Sequence, residues 1–371
     1  MIIDRVSMRA GETTIASLEA AAMLKLCIKD RQKWHLDSEG IRMRLVSIVF
    51  VALGWLCFAI SDSFAAPVKV VITFASFNER TVGALLVAQD QGFFAKQDLD
   101  VKIVNVRSGP VSLAALAAGE SNFHTGSSTG ATLGAFAGGL DAVFVAGLVN
   151  RLTGTFMVAP TIKTPADLRK KTVGVQSMGG GLWMNAMLAL DHWGLDPTRD
   201  NISFRIIGDE SVVAQAIASG IVDGAYLSYT FASVLKRQGY RMLADLADLN
   251  IPYQSTGLMA RRNFVQASPD VVEKALRAVV EAIAFIQNPA NKPAVMKTLA
   301  KALRLDKVEE TAEGYEVMRT LYERRIYPNV AGIRNVIRLL GPTNAKLANL
   351  KAENVVDDRI VKKLDQEGLL K

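Results

Sequence analysis

Two stretches decide the fold: "ALAAGESNFHTGSSTGATLGAFAGG" (115–139) and "AIASGIVDGAYLSYTFASVLKRQGY" (216–240) align at a single offset of 101 residues. Small residues coincide at seven positions of this alignment. At the same offset, strand-like "VKIVNV" (101–106) falls on "ISFRII" (202–207). An offset that holds over more than 60 residues indicates that the chain contains an internal repeat.

Each copy of the repeat alternates strand-like and helix-like segments, three strands to a copy. Alternation of this kind predicts a parallel sheet covered by helices. We therefore predict an α/β fold with two lobes, each a mainly parallel sheet, and a ligand cleft between the lobes. The predicted strands are 68–74, 101–106 and 121–125 in the first copy and 172–175, 202–207 and 224–227 in the second. The predicted helices are 81–91, 111–118, 182–193 and 211–219. A capping box at Thr164–Asp167 predicts the start of the first helix of the second lobe.

The loops at the carboxyl ends of these strands are the expected ligand-binding positions, because ligands of open α/β sheets bind at that edge. A cleft between two such lobes would be faced by both sets of loops. They are 75–80, 107–110 and 126–129 in the first lobe and 176–181, 208–211 and 228–230 in the second.

The loop at 176–181 belongs to "GVQSMGGGLWMNAMLAL" (174–190), a glycine-rich turn that leads into an apolar helix. It is not a P-loop, because no Lys and Ser/Thr follow the glycines. It is not a dinucleotide fingerprint, because Met184 occupies the place of the third glycine. Exposed amides at a helix N-terminus remain, and they favour an anionic group. A plain tight turn explains the glycines equally well.

The N-terminal region has the pattern of an export signal. Arg42 and Arg44 precede the apolar run Leu45–Ile60, and Ser63 and Ala65 occupy the small-x-small positions. We predict a signal peptide at 43–65, cleavage after Ala65 and a periplasmic location, with an uncleaved anchor as the alternative. Residues 1–42 are then an extension, and either Met1 or Met43 is the true start.

Composition disfavours several classes of function. The 371 residues carry a formal net charge of +7, but the basic residues are scattered, which disfavours nucleic-acid binding. Cys27 and Cys57 both precede the predicted cleavage point, so a disulfide, a cysteine nucleophile and a cysteine metal site are not expected. His124 and His192 are far apart in sequence and have no acidic or cysteine partner in a catalytic pattern. We expect no catalysis, no cofactor and no metal.

The segments "ALAAGESNFHTGSSTGA", "TPADLRKKTVGVQSMGGG" and "AIASGIVDGAYLSYTFA" resemble the nitrate/sulfonate/taurine-type substrate-binding proteins of bacterial ABC importers. This resemblance implies a type II periplasmic binding protein fold and a monomer. The partners it implies are a small-molecule ligand and the permease and ATPase subunits at the inner membrane. It also implies a discontinuous first lobe, 66–157 and 258–371, with the second lobe at 158–257 and crossing strands at 153–159 and 255–261.

The resemblance also implies that the loop "GSST" (126–129) holds the ligand, although serine and threonine there also serve as helix caps. The expected ligand is small and anionic: a sulfonate, nitrate, a carboxylate or an aromatic or heterocyclic acid. Segment 228–230 has no carboxylate, which argues against a ligand such as taurine that needs an ammonium partner there. Arg107 is a further candidate charge partner. The predicted ligand-binding residues are Ser76, Phe77, Asn78, Arg80, Ser127, Ser128, Thr129, Arg151, Gly179, Gly180, Trp183, Asp209 and Tyr229.

Two alternatives remain open. A ligand-sensing periplasmic module for a membrane receptor would have the same sequence features. An enzyme on the same fold, resembling the eukaryotic pyrimidine-precursor synthase, is disfavoured because that family depends on a cysteine-containing motif, which the chain after residue 65 lacks.

Overall fold

The computed structural model describes residues 66–371 except 76, 107 and 304, and these residues form one compact unit. Two five-stranded sheets organise the unit. We call the part built on the first sheet lobe 1 and the part built on the second sheet lobe 2.

The sheet of lobe 1 has the strand order β2-β1-β3-β10-β4. β1 pairs in parallel with β2 and β3, whereas β10 is antiparallel to both β3 and β4. β4 and β10 are buried along most of their length on both faces, which explains the apolar run of β4. The strands are β1 (Val68–Phe74), β2 (Leu99–Asn105), β3 (Phe123–Gly126), β4 (Ala142–Arg151) and β10 (Pro252–Arg261).

The sheet of lobe 2 repeats this plan in the order β7-β6-β8-β5-β9. β6 pairs in parallel with β7 and β8, and β5 is antiparallel to β8 and β9. The strands are β5 (Thr155–Val158), β6 (Thr172–Val175), β7 (Ser203–Ile206), β8 (Gly224–Leu227) and β9 (Arg241–Asp245).

Helices cover both sheets, and the C-terminal helices return to lobe 1. Lobe 1 carries α1 (Glu79–Asp90), α2 (Phe93–Lys96), α3 (Gly109–Ala118) and α4 (Gly130–Ala137). Lobe 2 carries α5 (Gly181–His192), α6 (Glu210–Ala218) and α7 (Tyr229–Arg237). The C-terminal helices are α8 (Arg262–Ala267), α9 (Pro269–Gln287), α10 (Lys292–Leu303), α11 (Ala312–Leu321), α12 (Val330–Leu340), α13 (Ala345–Ala348) and α14 (Arg359–Gln366).

The chain crosses between the lobes twice, from β4 to β5 and from β9 to β10. Each crossing brings in the one strand that runs antiparallel in its sheet. The predicted lobe boundaries, 157/158 and 257/258, fall within β5 and β10, and they stay a proposal.

The predicted two-lobed α/β class is confirmed, and the bounds of β1, β6 and β8 are the predicted ones. One local prediction is wrong: the capping box at Thr164 opens a single 3-10 turn, Pro165–Leu168, rather than a helix. Arg169 has an extended backbone (φ −56°, ψ 133°), and this conformation ends the turn. Among the residues that the structure describes, no helix is both long and apolar enough to span a membrane.

Candidate functional site

A cavity of about 390 Å³ lies between the lobes, at the edge where the parallel strands of both sheets end. The loops after β1 and β2 supply its lobe 1 wall, and the loops after β6 and β7 supply much of its lobe 2 wall. We call this cavity the cleft. It is lined by Ala75, Phe77, Asn105, Val106, Gln176, Leu182, Asp209, Glu210, Ser211 and Phe231.

The polar wall of the cleft in lobe 2 is acidic. Gln176 Nε2 donates a hydrogen bond to Asp209 Oδ1 at 3.1 Å. Glu210 Oε1 accepts a hydrogen bond from the backbone N–H of Ser228, so a carboxylate does lie beneath segment 228–230. Segment 228–230 itself has no carboxylate, as the sequence shows, and the neighbouring helix α6 supplies this one. Burial raises the pKa of Glu210, since the charged form loses hydration.

The first turn of α1 places a buried pair of opposite charges, Glu79 and Arg80, at the junction of the lobes. Arg80 is 7% exposed, and its Nη1 donates to Ser255 Oγ at 2.6 Å. The guanidinium carbon lies 5.9 Å from the centre of the Tyr226 ring in lobe 2. Arg80 Nε is buried and has no hydrogen-bond partner among the described residues, which leaves one donor unused.

Glu79, beside Arg80, reaches across to lobe 2. Thr230 Oγ1 donates to Glu79 Oε2 at 2.9 Å. Burial raises the pKa of Glu79, and the hydrogen bond from Thr230 and the charge of Arg80 oppose that rise. Glu79, Arg80 and Glu210 thus form a charged cluster at the junction of the lobes.

Two more contacts hold the lobes together. The N–H of Ala131, in the first turn of α4, donates to the carbonyl oxygen of Gly179 at 2.9 Å. Arg338 on α12 pairs with Asp191 on α5 at 2.5 Å. The lobes are therefore in contact at several points.

The predicted site residues fall into three groups. In the first, Phe77 and Asp209 line the cleft, and Arg80 is buried over the Tyr226 ring, close to the charge of the cleft residue Glu210. Asn78 belongs to the same loop, and its Oδ1 caps α1 by accepting from the N–H of Thr81 at 2.9 Å. Ser76 and Arg107 lie outside the described residues.

In the second group, the polar atoms of the loop "GSST" bond within lobe 1. Ser127 Oγ donates to the carbonyl of Ser255 at 2.5 Å, and the N–H of Ser128 donates to the carbonyl of Gln254 at 3.0 Å. Thr129 Oγ1 caps α4 by accepting from the N–H of Thr132 at 3.1 Å. Gly179 faces α4 rather than open space, and Gly180 precedes α5. Ligand contact by these residues stays a prediction.

The third group lies away from the cleft. Arg151 is exposed, and its Nη2 donates to the carbonyl of Thr320 at 3.4 Å. Trp183 lines a separate groove and packs edge-on against Phe204, with ring centres 6.0 Å apart. The hydroxyl of Tyr229 donates to Asp245 Oδ1 at 2.8 Å. The structure does not bring Arg151 and Trp183 together with the residues of the cleft.

Sequence reasoning missed Glu79, Gln176 and Glu210 as individual site residues. Each belongs to a loop that was predicted to face the ligand, or directly follows a predicted site residue. The available signal was the placement of charge: "NER" and "GDES" put acidic residues directly after a strand, at a helix start.

His124 has a structural environment. Its Nδ1 lies 2.6 Å from Ser112 Oγ inside lobe 1, and burial lowers its pKa to about 4. Among the described residues, no group of three or more His, Cys, Asp or Glu side chains is placed to hold a metal ion.

A cleft between two mixed sheets, each covered by helices and joined by two crossing segments, defines the type II periplasmic binding protein fold. The family follows from comparison with known sequences: residues 80–292 match the model of the family described as NMT1/THI5 like, and the chain belongs to that family.

Similar proteins include the "Putative binding protein YtlA" of Bacillus subtilis, 27% identical over 215 residues. That match covers 56% of this chain and spans 63% of the length of the relative. The aliphatic sulphonate binding protein SsuA of Escherichia coli has a TM-score of 0.64 at 21% identity, covering 79% of this chain and 92% of SsuA. The nitrate-binding protein NrtA of Synechocystis PCC 6803 has a TM-score of 0.66 at 14% identity, covering 81% and 88%. At these identities the two structures establish the shared fold.

Proposed function

We propose that the chain is an exported solute-binding protein that carries a small ligand from the periplasm to the permease and ATPase of an ABC importer. The cleft is the observation that carries this proposal, because a concave site between two hinged lobes allows ligand capture by closure. We infer that the protein acts as a monomer, since each lobe contributes one wall of the cleft.

The chemistry of the cleft supports an organic acid as the ligand class. Arg80 has an unused donor and would face an anionic or acceptor group. Phe77 and Phe231 offer flat apolar walls to an aromatic or heterocyclic body. Asp209 and Glu210 favour a ligand that also carries an N–H or O–H donor, which nitrate lacks.

A binding role rather than catalysis is supported by the make-up of the described cleft. The described lining of the cleft contains carboxyl groups, amides and aromatic rings, but no histidine or cysteine. A buried His124 with a lowered pKa is also unsuited to accept protons from a ligand at neutral pH.

The first experiment is a thermal-shift screen of the purified protein against sulfonates, carboxylates, nitrate and pyrimidines, followed by calorimetry on the compounds that stabilise it. We expect organic acids to raise the melting temperature and nitrate to have little effect. Conversion of any stabilising compound into a product during the assay would contradict the assignment as a binding protein.

Variants then locate the site. Arg80→Met should weaken ligand binding about ten- to a hundredfold, the value of a lost hydrogen bond to a charged group. Arg151→Met is the matched control, because Arg151 is exposed and lies outside the cleft. Gln176→Ala changes the lobe 2 wall of the cleft, and it replaces Arg80→Met as the test of ligand binding if Arg80→Met does not fold. Equal affinity in all three variants would place the ligand elsewhere.

Transport is tested in cells. Uptake of the radiolabelled ligand should be lost when the gene is deleted and restored by the wild-type protein but not by Arg80→Met. Normal uptake in the deletion strain, together with ligand binding in vitro, would favour a sensing role instead.

A further inference from the structure

A second cavity, of about 470 Å³, lies beside the cleft. Phe77 and Phe231 line both cavities, so their side chains stand between them. We call it the side cavity. In lobe 1 it is lined by α1, α10, α11 and the segment before α11, and in lobe 2 it is lined by α7. Among its lining residues are Glu79, Val82, Leu86, Leu299, Gly314 and Val317 of lobe 1.

The side cavity has the size and composition of a small-molecule site, which is typically concave, mostly apolar and about 300–1,000 Å³. Its apolar lining includes side chains that stay partly in water: Phe77 is 36% exposed and Val234 is 39% exposed. Burying them under an apolar occupant would remove that surface from water, which is favourable.

A carboxylate provides the polar anchor. Glu79 is 8% exposed and accepts one hydrogen bond from Thr230 at the wall of the side cavity. Arg80 is the cation already beside it, and an ammonium group in the side cavity would add a charge-assisted hydrogen bond to the carboxylate. Two further carboxylates, Glu310 and Glu313, and one guanidinium, Arg237, also line the described part of the side cavity.

We propose that the side cavity binds a small apolar amine, with the ammonium group on Glu79 and the apolar body against Val82, Val317 and Phe231. This site is separate from the cleft and does not depend on the proposed transport function. Its occupant contacts both lobes, so it binds the closed arrangement more tightly than an open one. By linkage, the occupant also raises the affinity of any ligand that closes the cleft.

The probe is 2-phenylethylamine, with 2-phenylethanol and 3-phenylpropionate as neutral and anionic analogues of similar size. In calorimetry on the purified protein, we expect the amine to bind about ten- to a hundredfold more tightly than the alcohol, the value of a hydrogen bond to a charged group. Glu79→Gln keeps an acceptor for Thr230 and should remove this preference. Equal binding of the amine and the alcohol to the wild-type protein would overturn the proposal.

Gly314 allows the side cavity to be filled from within. A Cβ added there meets only Leu299 Cδ1, at 3.8 Å, and both alanine and leucine favour a helix over glycine. Gly314→Leu should weaken amine binding at least about tenfold, because the leucine side chain occupies the space of the apolar part of the amine. Gly314→Ala, the control, should bind as the wild type does. If Gly314→Leu does not fold, Val234→Phe fills the side cavity from lobe 2.

Gln176→Ala distinguishes the two cavities, because Gln176 lines the cleft but not the side cavity. Amine binding should be unchanged in this variant and lost in the filled variants. Unchanged amine binding in Gly314→Leu or Val234→Phe, or loss of amine binding in Gln176→Ala, would place the amine in the cleft or on the surface and refute the side-cavity assignment.

Discussion

Replacing Gly154 by alanine tests how closely the first crossing segment, which leads from β4 to β5, packs against Tyr226 beside the charged cluster. Gly154 has φ +94°, and a Cβ there would lie 2.7 Å from Tyr226 Cε2 and from its hydroxyl oxygen. Tyr226 is 1% exposed and lies under Arg80, so its ring has little room to move away. Alanine at this position therefore meets backbone strain and a steric clash together.

The cost of the backbone strain and the cost of the steric clash can be separated with a second glycine that has a similar φ but no close neighbour. Gly239 has φ +88° but no atom within 4 Å of an added Cβ, so Gly239→Ala carries the backbone term alone. That term is about 1–2 kcal/mol for an L-residue in the left-handed region. Overpacking a filled core adds about 1–3 kcal/mol. We expect Gly154→Ala to lose about 2–5 kcal/mol of unfolding free energy and Gly239→Ala about 1–2 kcal/mol.

Urea unfolding followed by circular dichroism gives both free energies. Gly154→Ala should also weaken ligand binding, because a displaced Tyr226 moves the surface on which Arg80 rests. Equal losses of stability in the two variants would show that Tyr226 yields freely, and the account of a tightly packed site would be refuted.

Three further predictions follow from the lobe contacts, the buried acids and the N-terminus. Thr230→Val removes the hydrogen bond from Thr230 to the Glu79 carboxylate, worth about 1.5–3 kcal/mol, so the ratio of open to closed protein should rise about ten- to a hundredfold. Spin-label distances between the lobes measure this, with Ser233→Ala as the control that leaves the bond in place; identical distributions would count against the contact. Because burial raises the pKa of Glu210, wild-type stability falls as pH rises above 4.5 through the folded-state value. Glu210→Gln lacks this loss, so its melting temperature relative to the wild type should be higher at pH 7.5 than at pH 4.5, and a pH-independent difference would contradict the shift. N-terminal sequencing of the exported protein should begin at Ala66, and a chain that retains 45–60 would disprove cleavage.

Most of the fold was predicted from the internal repeat. The alternation of strands and helices and the constant offset follow from backbone geometry, which many different side chains can adopt. β6 and β8 are short, mostly buried runs bounded by polar residues, and the ends of β1, β6 and β8 coincide with the predicted ones. The sequence predicted a helix after Thr164, but the structure has a 3-10 turn there. A capping box occurs both before a long helix and before a single turn, so it does not predict the length of the element.

The candidate site was predicted only as a set of loops. Which partner a loop side chain reaches depends on local dihedral angles, and neighbouring residues reach different partners. Asp209 and Glu210 are adjacent, yet Asp209 bonds Gln176 at the surface whereas Glu210 turns inward to the N–H of Ser228. The backbone N–H groups at a helix N-terminus also stop being available to a ligand once the opposite lobe occupies them. Here the N–H of Ala131, in the first turn of α4, donates to the carbonyl oxygen of Gly179 in lobe 2.

The position of β10 has a consequence for how the protein folds. β10 lies between β3 and β4, although it follows all of lobe 2 in the chain. Until Pro252–Arg261 arrives, β3 and β4 each present an unpaired edge, while lobe 2 is one continuous segment whose five strands are already present. We therefore expect lobe 2 to form first and lobe 1 to be completed late, by strand insertion over a long loop, which is intrinsically slow. A chain that emerges from an export channel from its N-terminus onward would expose those edges to aggregation for the whole interval. The rate at which the C-terminal third follows then sets the yield of folded protein.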